Sequence, residues 1–327
     1  MRRREFIRLI GSVAATWPLA AHAQQSAMPV VGFINVASAK DYAPLLSAFL
    51  KGLSEAGYVD GRNVSIEYRW AEGRQDRLPT MVADLIHHGV AVIAATTTEA
   101  ALAAKTATAT IPIVFTTSGD PVKLGLVVNL NRPGRNVTGV TSLLVLVLSK
   151  RLELLHELVP TASSMAVLVN PANPTVAEIN SKELLAAART LGLELHILNA
   201  STERDIDGAF AKLIQLRTGG LVIAPDPFYN GRVEQLAALT IRHSVPAIHH
   251  SREFVVAGGL LSYGGGSADA YRLAGNYTGR VLRGDKPADL PVQQATKVEL
   301  YINLKAAKAL GITVPQSVQS RADEVIE

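Results

Sequence analysis

Polar residues cluster where apolar runs give way to turns, and their types suit holding a molecule rather than breaking a bond. Asn35, Thr96, Thr116, Thr117, Ser118 and Asp120 follow apolar runs in the first half of the chain. Asn170, Asp226, Ser251 and Arg252 do so in the second. Hydroxyls and free amides at helix N-termini can take a carboxylate, and a carboxylate such as Asp226 can take an ammonium. Facing one another, the two sets would line a cleft suited to a small zwitterion. Each residue alone also makes an ordinary helix cap or turn, because Ser, Thr, Asp and Asn are the preferred caps.

Other chemistries lack their residues. There is no Gly-x-Ser-x-Gly elbow, no Walker loop, and no Gly-x-Gly-x-x-Gly after the first predicted strand. Gly264-Gly265-Gly266 lacks the Lys or spaced third Gly of a phosphate cradle and reads as a hinge loop. Neighbouring strand residues point to opposite faces, so His249 and His250 cannot both aim at one ion without a bend. His87-His88 suits a helix C-terminus, where positive charge is favoured. Neither a metal nor a cofactor is expected. With no cysteine, disulfides, thiolate zinc sites and a lipidated N-terminal Cys are excluded.

The elements that must position these residues recur. Leu221-Val222-Ile223-Ala224 reads as a strand buried on both faces and stopped by Pro225-Asp226-Pro227. Val92-Ile93-Ala94-Ala95 repeats its core 130 positions upstream, with Thr96 where the later copy has Asp226. Val31–Asn35 pairs with Ala166–Asn170 at a separation of 135, and Ile111–Phe115 with Val245–His249 at 134. Constant order and near-constant offset predict two similar α/β halves in tandem. The first reads as strands 29–35, 63–70, 90–96 and 112–117 separated by helices 42–56, 76–88 and 97–107, then a short strand 137–142. The second reads as helix 147–158, strands 164–169, 194–199, 220–225 and 246–250, and helices 174–191, 203–217 and 231–243. Single helices between strands imply parallel sheets, with ligands at the strands' carboxyl ends. The fold class is therefore α/β, two Rossmann-like lobes with a cleft between them. A first lobe of 28–143 plus about 267–285 and a second of 144–266 plus about 290–327 are expected.

Residues 1–23 stand apart. Arg2, Arg3, Arg4 and Arg8 precede an apolar run from Leu9 to Ala21, and Ala21-His22-Ala23 supplies a small-residue cleavage site. The run is shorter than the roughly 20 residues that span a bilayer. Arg3-Arg4-Glu5-Phe6-Ile7-Arg8 resembles the twin-arginine export signal. Removing the segment takes away four arginines and one glutamate, so the net charge falls from +4 to about +1. The basic balance of the whole chain thus offers no case for nucleic acid as partner. A free, monomeric periplasmic protein without a lipid anchor is expected.

Beyond single residues, longer motifs resemble a family. Glu67-Tyr68-Arg69-Trp70-Ala71-Glu72-Gly73, Asp76-Arg77-Leu78-Pro79 and Arg132-Pro133-Gly134-Arg135-Asn136-Val137-Thr138-Gly139 resemble the tryptophan/tyrosine-type substrate-binding proteins of bacterial ABC transporters. Lys150-Arg151-Leu152-Glu153-Leu154-Leu155, Asp226-Pro227-Phe228, Arg252-Glu253-Phe254 and the ending Arg321–Glu327 do so as well. The resemblance implies a type I periplasmic-binding fold with three interlobe crossovers, closing on a ligand and delivering it to an ABC permease in the inner membrane. Arg135 stands where relatives usually carry Gly, and His249-His250-Ser251 replaces a stretch that often bears an aromatic. Two other uses of such a chain are a periplasmic ligand sensor feeding a signalling partner and an exported enzyme.

Overall fold

Val30–Asn35 (β1) is buried from its second residue onward, as a central strand of a parallel sheet must be. The computed structural model to which it belongs describes residues 28–142 and 144–327; the expected export segment, residues 1–23, lies outside them. β1 is flanked by Ser65–Trp70 (β2) and Val92–Ala95 (β3), and Ile113–Thr117 (β4) and Val137–Thr141 (β5) follow beside β3. Helices Ala43–Glu55 (α1), Leu78–His87 (α2) and Thr98–Ala107 (α3) make the crossovers.

The second sheet repeats this order. Ser164–Val169 (β6) lies between Glu194–Asn199 (β7) and Leu221–Ile223 (β8), with Ala247–His249 (β9) and Leu261–Gly264 (β10) next. Strand order β5-β4-β3-β1-β2 in one sheet thus matches β10-β9-β8-β6-β7 in the other, which is the structural content of the repeated Val-Ile-Ala motifs. Its helices are Leu148–Leu158 (α4), Pro174–Leu191 (α5), Glu203–Leu216 (α6), Pro227–Asn230 (α7), Val233–Arg242 (α8) and Arg252–Val256 (α9). Local chemistry sets their ends. Gly192 closes α5 in the left-handed region at φ 69°, and Thr202 with Asp205 forms a reciprocal capping box opening α6. Apolar clusters cover both faces of each sheet, so each lobe has its own core.

The chain passes between lobes three times. The first passage follows β5. After β10 the chain returns to the first lobe as Ser267–Leu282 (α10), which packs along α1 with the two backbones almost touching. A Cβ at Gly52 would lie 1.7 Å from the Arg272 carbonyl oxygen, and one at Gly275 2.0 Å from that of Phe49. Gln293–Gln294 (β11) then pairs parallel with β5, and the Ala295 N–H donates to Thr141 at 2.8 Å. The chain therefore stays with the first sheet through Ala295, and the boundary expected near residue 290 moves to 296–298. Glu299–Asn303 (β12) runs antiparallel to β10, with Glu324–Ile326 (β13) beside it. Two-residue β11 and three-residue β13 are too short to carry a periodic signal.

Candidate functional site: the cleft between the lobes

The carboxyl ends of the two sheets face each other and enclose a chamber of about 580 Å³, its mouth included. The first lobe contributes Tyr42 and Leu45 at the start of α1, Thr96–Glu99 at the tip of β3, Thr116–Ser118 at the tip of β4, and Ala270 and Tyr271 of α10. The second contributes Asn173 and Val176, Pro225–Pro227, Asn230 and His250. Hydroxyls and amides share the wall with the apolar side chains of Leu45, Leu144, Val176 and Ala270.

Two carboxylates meet there from opposite lobes. Asp226 is buried and caps α7, its Oδ1 accepting from the Phe228 N–H and from Asn170 Nδ2, both at 2.9 Å. Its Oδ2 accepts from Asn173 Nδ2 at 3.4 Å. The same Asn173 amide also donates to Glu99 Oε1 across the cleft. Glu99 Oε2 is buried without a partner. Among the described residues no Lys or Arg lines the chamber. Burial, reinforced by the negative charge of Asp226, pushes the Glu99 carboxyl up to about 7. Burial also raises Asp226, against the pull of its three donors. A second bond between lobes runs from Asn230 Nδ2 to the Tyr42 hydroxyl at 3.1 Å.

His250 brings no charge to this wall. Burial first, then the nearness of His249 and Arg151, holds it well below the usual imidazole range. His249 is held down to about 3, again by burial first and Arg151 second. Outside the inner chamber lies a wider one of about 1320 Å³, which Asp226 and Pro227 also border together with Asn170, Arg74 and Arg232.

Of the residues singled out from sequence, Thr96, Thr117, Ser118 and Asp226 line the inner chamber, and Asn170 supports Asp226 from the outer side. Four do not reach it. Asn35 is buried behind the wall, donating to Thr96 Oγ1 at 2.9 Å and to the Tyr271 hydroxyl at 3.2 Å. Asp120 is spent on its own turn, accepting from the Val122 N–H at 2.8 Å. Ser251 Oγ pairs with His249 Nδ1 at 3.0 Å. Arg252 turns outward at the start of α9 and grips Glu324 with two bonds of 2.8 and 2.7 Å. Their caps and turns consume the polar atoms that a ligand would need. Tyr42, Glu99, Asn173, Asn230, His250 and Tyr271 join the site only through the fold. Glu99 had a local signal, standing directly after Thr96-Thr97-Thr98 at a strand tip.

The geometry is that of a two-lobed binding protein, and the comparisons agree. Residues 31–326 match the family model for ABC transporter substrate binding proteins. The chain belongs to this family. A tyrosine-binding protein of Clostridioides difficile is 29% identical over 266 residues, which span 80% of this chain and 75% of that protein. A conserved domain protein from Vibrio cholerae superposes with a TM-score of 0.82 at 27% identity, covering 91% of this chain and 99% of the other. The ABC domain of Streptococcus pneumoniae in complex with L-Trp gives 0.80 at 26% identity, with the same coverage. The architecture is the type I periplasmic-binding fold expected from the motifs. Members of the family are substrate-binding proteins rather than enzymes. Among the described residues no helix is long and apolar enough to cross a membrane, and no group of three or more side chains is arranged to hold a metal.

Proposed function

We propose that this protein is the periplasmic solute-binding component of an ABC importer and captures an amino acid between its lobes. The observation that carries the reading is Asp226, a buried carboxylate held by three neutral donors, with acceptor capacity left, in a chamber that no described Lys or Arg lines. A desolvated carboxylate in such a place is matched by a ligand ammonium. Thr96–Thr98, Thr117 and Ser118, with the N-terminus of α3, supply hydroxyls and amides for the ligand carboxylate. Tyr42, Tyr271, Leu45, Leu144 and Val176 are left to receive its side chain. Relatives named for tyrosine and solved with L-Trp bind ligands of this class. Because Asn173–Glu99 and Asn230–Tyr42 join opposite lobes, closure and ligand capture are one equilibrium, and a permease would read the closed form.

A thermal-shift screen against the amino acids tests this. Binding to the native state alone adds about 2.7 kcal/mol at a hundredfold excess over Kd, a shift of several degrees. Asp226→Ala should abolish the shift while costing only the cap of α7, roughly 0.5–2 kcal/mol. Unchanged affinity in that variant would remove Asp226 from the site.

A further inference from the structure

Glu99 stands across the cleft from Asp226, and the Asn173 amide donates to both carboxylates. Asp226 accepts from three groups, whereas Glu99 Oε2 is buried and accepts from none. Two buried carboxylates that line one chamber and share one amide donor do not both ionise readily, and the one with an oxygen left without a partner is the one that keeps a proton. An ammonium has three N–H donors and needs three acceptors, and the vacant Oε2 is one already in place.

We propose that Glu99 is the second ammonium ligand, that Glu99 and Asp226 hold one proton between them in the empty cleft, and that the incoming ammonium displaces it. This rests on the amino-acid reading of the chamber. The proton leaves Glu99 Oε2 for solvent as the ammonium enters, so capture of one ligand releases one proton and acidification favours the empty, still closed cleft.

Among the described residues the titratable groups facing the pair carry no charge. From the first lobe Tyr42 and Tyr271 face it, both phenols held neutral by burial. From the second come Tyr229 and the neutral His250. Asp226 alone also borders the outer chamber, where Asp41, Glu72, Arg74, Glu203, Arg204 and Arg232 lie. Arg232 is engaged there by Glu203 and by the Phe228 ring. Glu99 is raised to about 7, in accord with this geometry.

Two measurements decide the matter. In the ligand-free protein, the carboxyl carbon resonance of Glu99, assigned by its loss in Glu99→Gln, should titrate near neutrality and move to lower pH in Asp226→Asn. Titration in the ordinary carboxylate range would overturn the shared proton. Calorimetry with L-tyrosine and L-tryptophan at pH 6, in buffers of differing ionisation enthalpy, should show close to one proton released per ligand, falling toward none above pH 8. Glu99→Gln should bind at least tenfold more weakly and release none. Binding without proton release in the unaltered protein would overturn the displacement and leave the amino-acid reading standing. Absence of binding by both probes in the unaltered protein would overturn that reading and the displacement with it.

Discussion

The Tyr271 hydroxyl donates to the Thr96 carbonyl although the two residues are 175 positions apart, and Asn35 Nδ2 donates to the same hydroxyl at 3.2 Å. Tyr271 belongs to α10, which enters the first lobe only after the chain has built most of the second. Its hydroxyl therefore ties a late element to the tips of β1 and β3, where the chamber wall begins.

Tyr271→Phe leaves the Thr96 carbonyl without that donor in a buried place, while Asn35 keeps Thr96 Oγ1 as an acceptor at 2.9 Å. The expected cost is about 1–3 kcal/mol. A lower urea midpoint with an unchanged slope would show it, and wild-type stability would mean that water replaces the hydroxyl.

Gly275→Ala places a methyl 2.0 Å from the Phe49 carbonyl oxygen and 2.8 Å from the Leu53 nitrogen, so α1 and α10 must separate. Overpacking of this kind costs about 1–3 kcal/mol or more. Because Tyr42 stands at the start of α1 and Tyr271 on α10, ligand affinity should fall together with stability. Gly208→Ala in α6 is the control. Nothing lies within 4 Å of its Cβ, and helix propensity should stabilise the protein by roughly 0.5–1 kcal/mol.

Acid stability should carry two opposed signatures. His249 titrates at 6.5 when unfolded and about 3 when folded, so between those values the unfolded chain binds more protons and stability falls as the pH drops. His250 acts in the same sense. Glu99 moves from 4.5 up to about 7, so the folded protein binds more protons in that window and gains stability on acidification. Melting temperatures between pH 4.5 and 7 should fall more steeply toward acid in Glu99→Gln than in the unaltered protein. Replacing both histidines by Gln should remove the fall toward acid and leave the opposite slope set by Glu99, and identical profiles for all three proteins would contradict both assignments.

Much of this protein is decided locally. Val92–Ala95 and Leu221–Ile223 are apolar throughout because parallel central strands are buried on both faces, and that requirement is written into consecutive residues. The tandem halves, the strand tips and Asp226 follow from such runs and from the prolines that stop them. Caps are local too, which is why Asp120, Ser251 and Arg252 looked like site residues. A polar residue after a strand reads the same whether its atoms face a ligand, its own turn or, as for Arg252, a glutamate 72 positions away. Tertiary structure alone decided the rest. Glu99 accepts from Asn173 only because the two lobes lie against each other, Tyr271 reaches Thr96 only after two crossovers, and β11 joins the first sheet through pairing partners more than 150 positions distant. These are long-range contacts whose partners carry no shared period, so their positions emerge from packing the two sheets face to face.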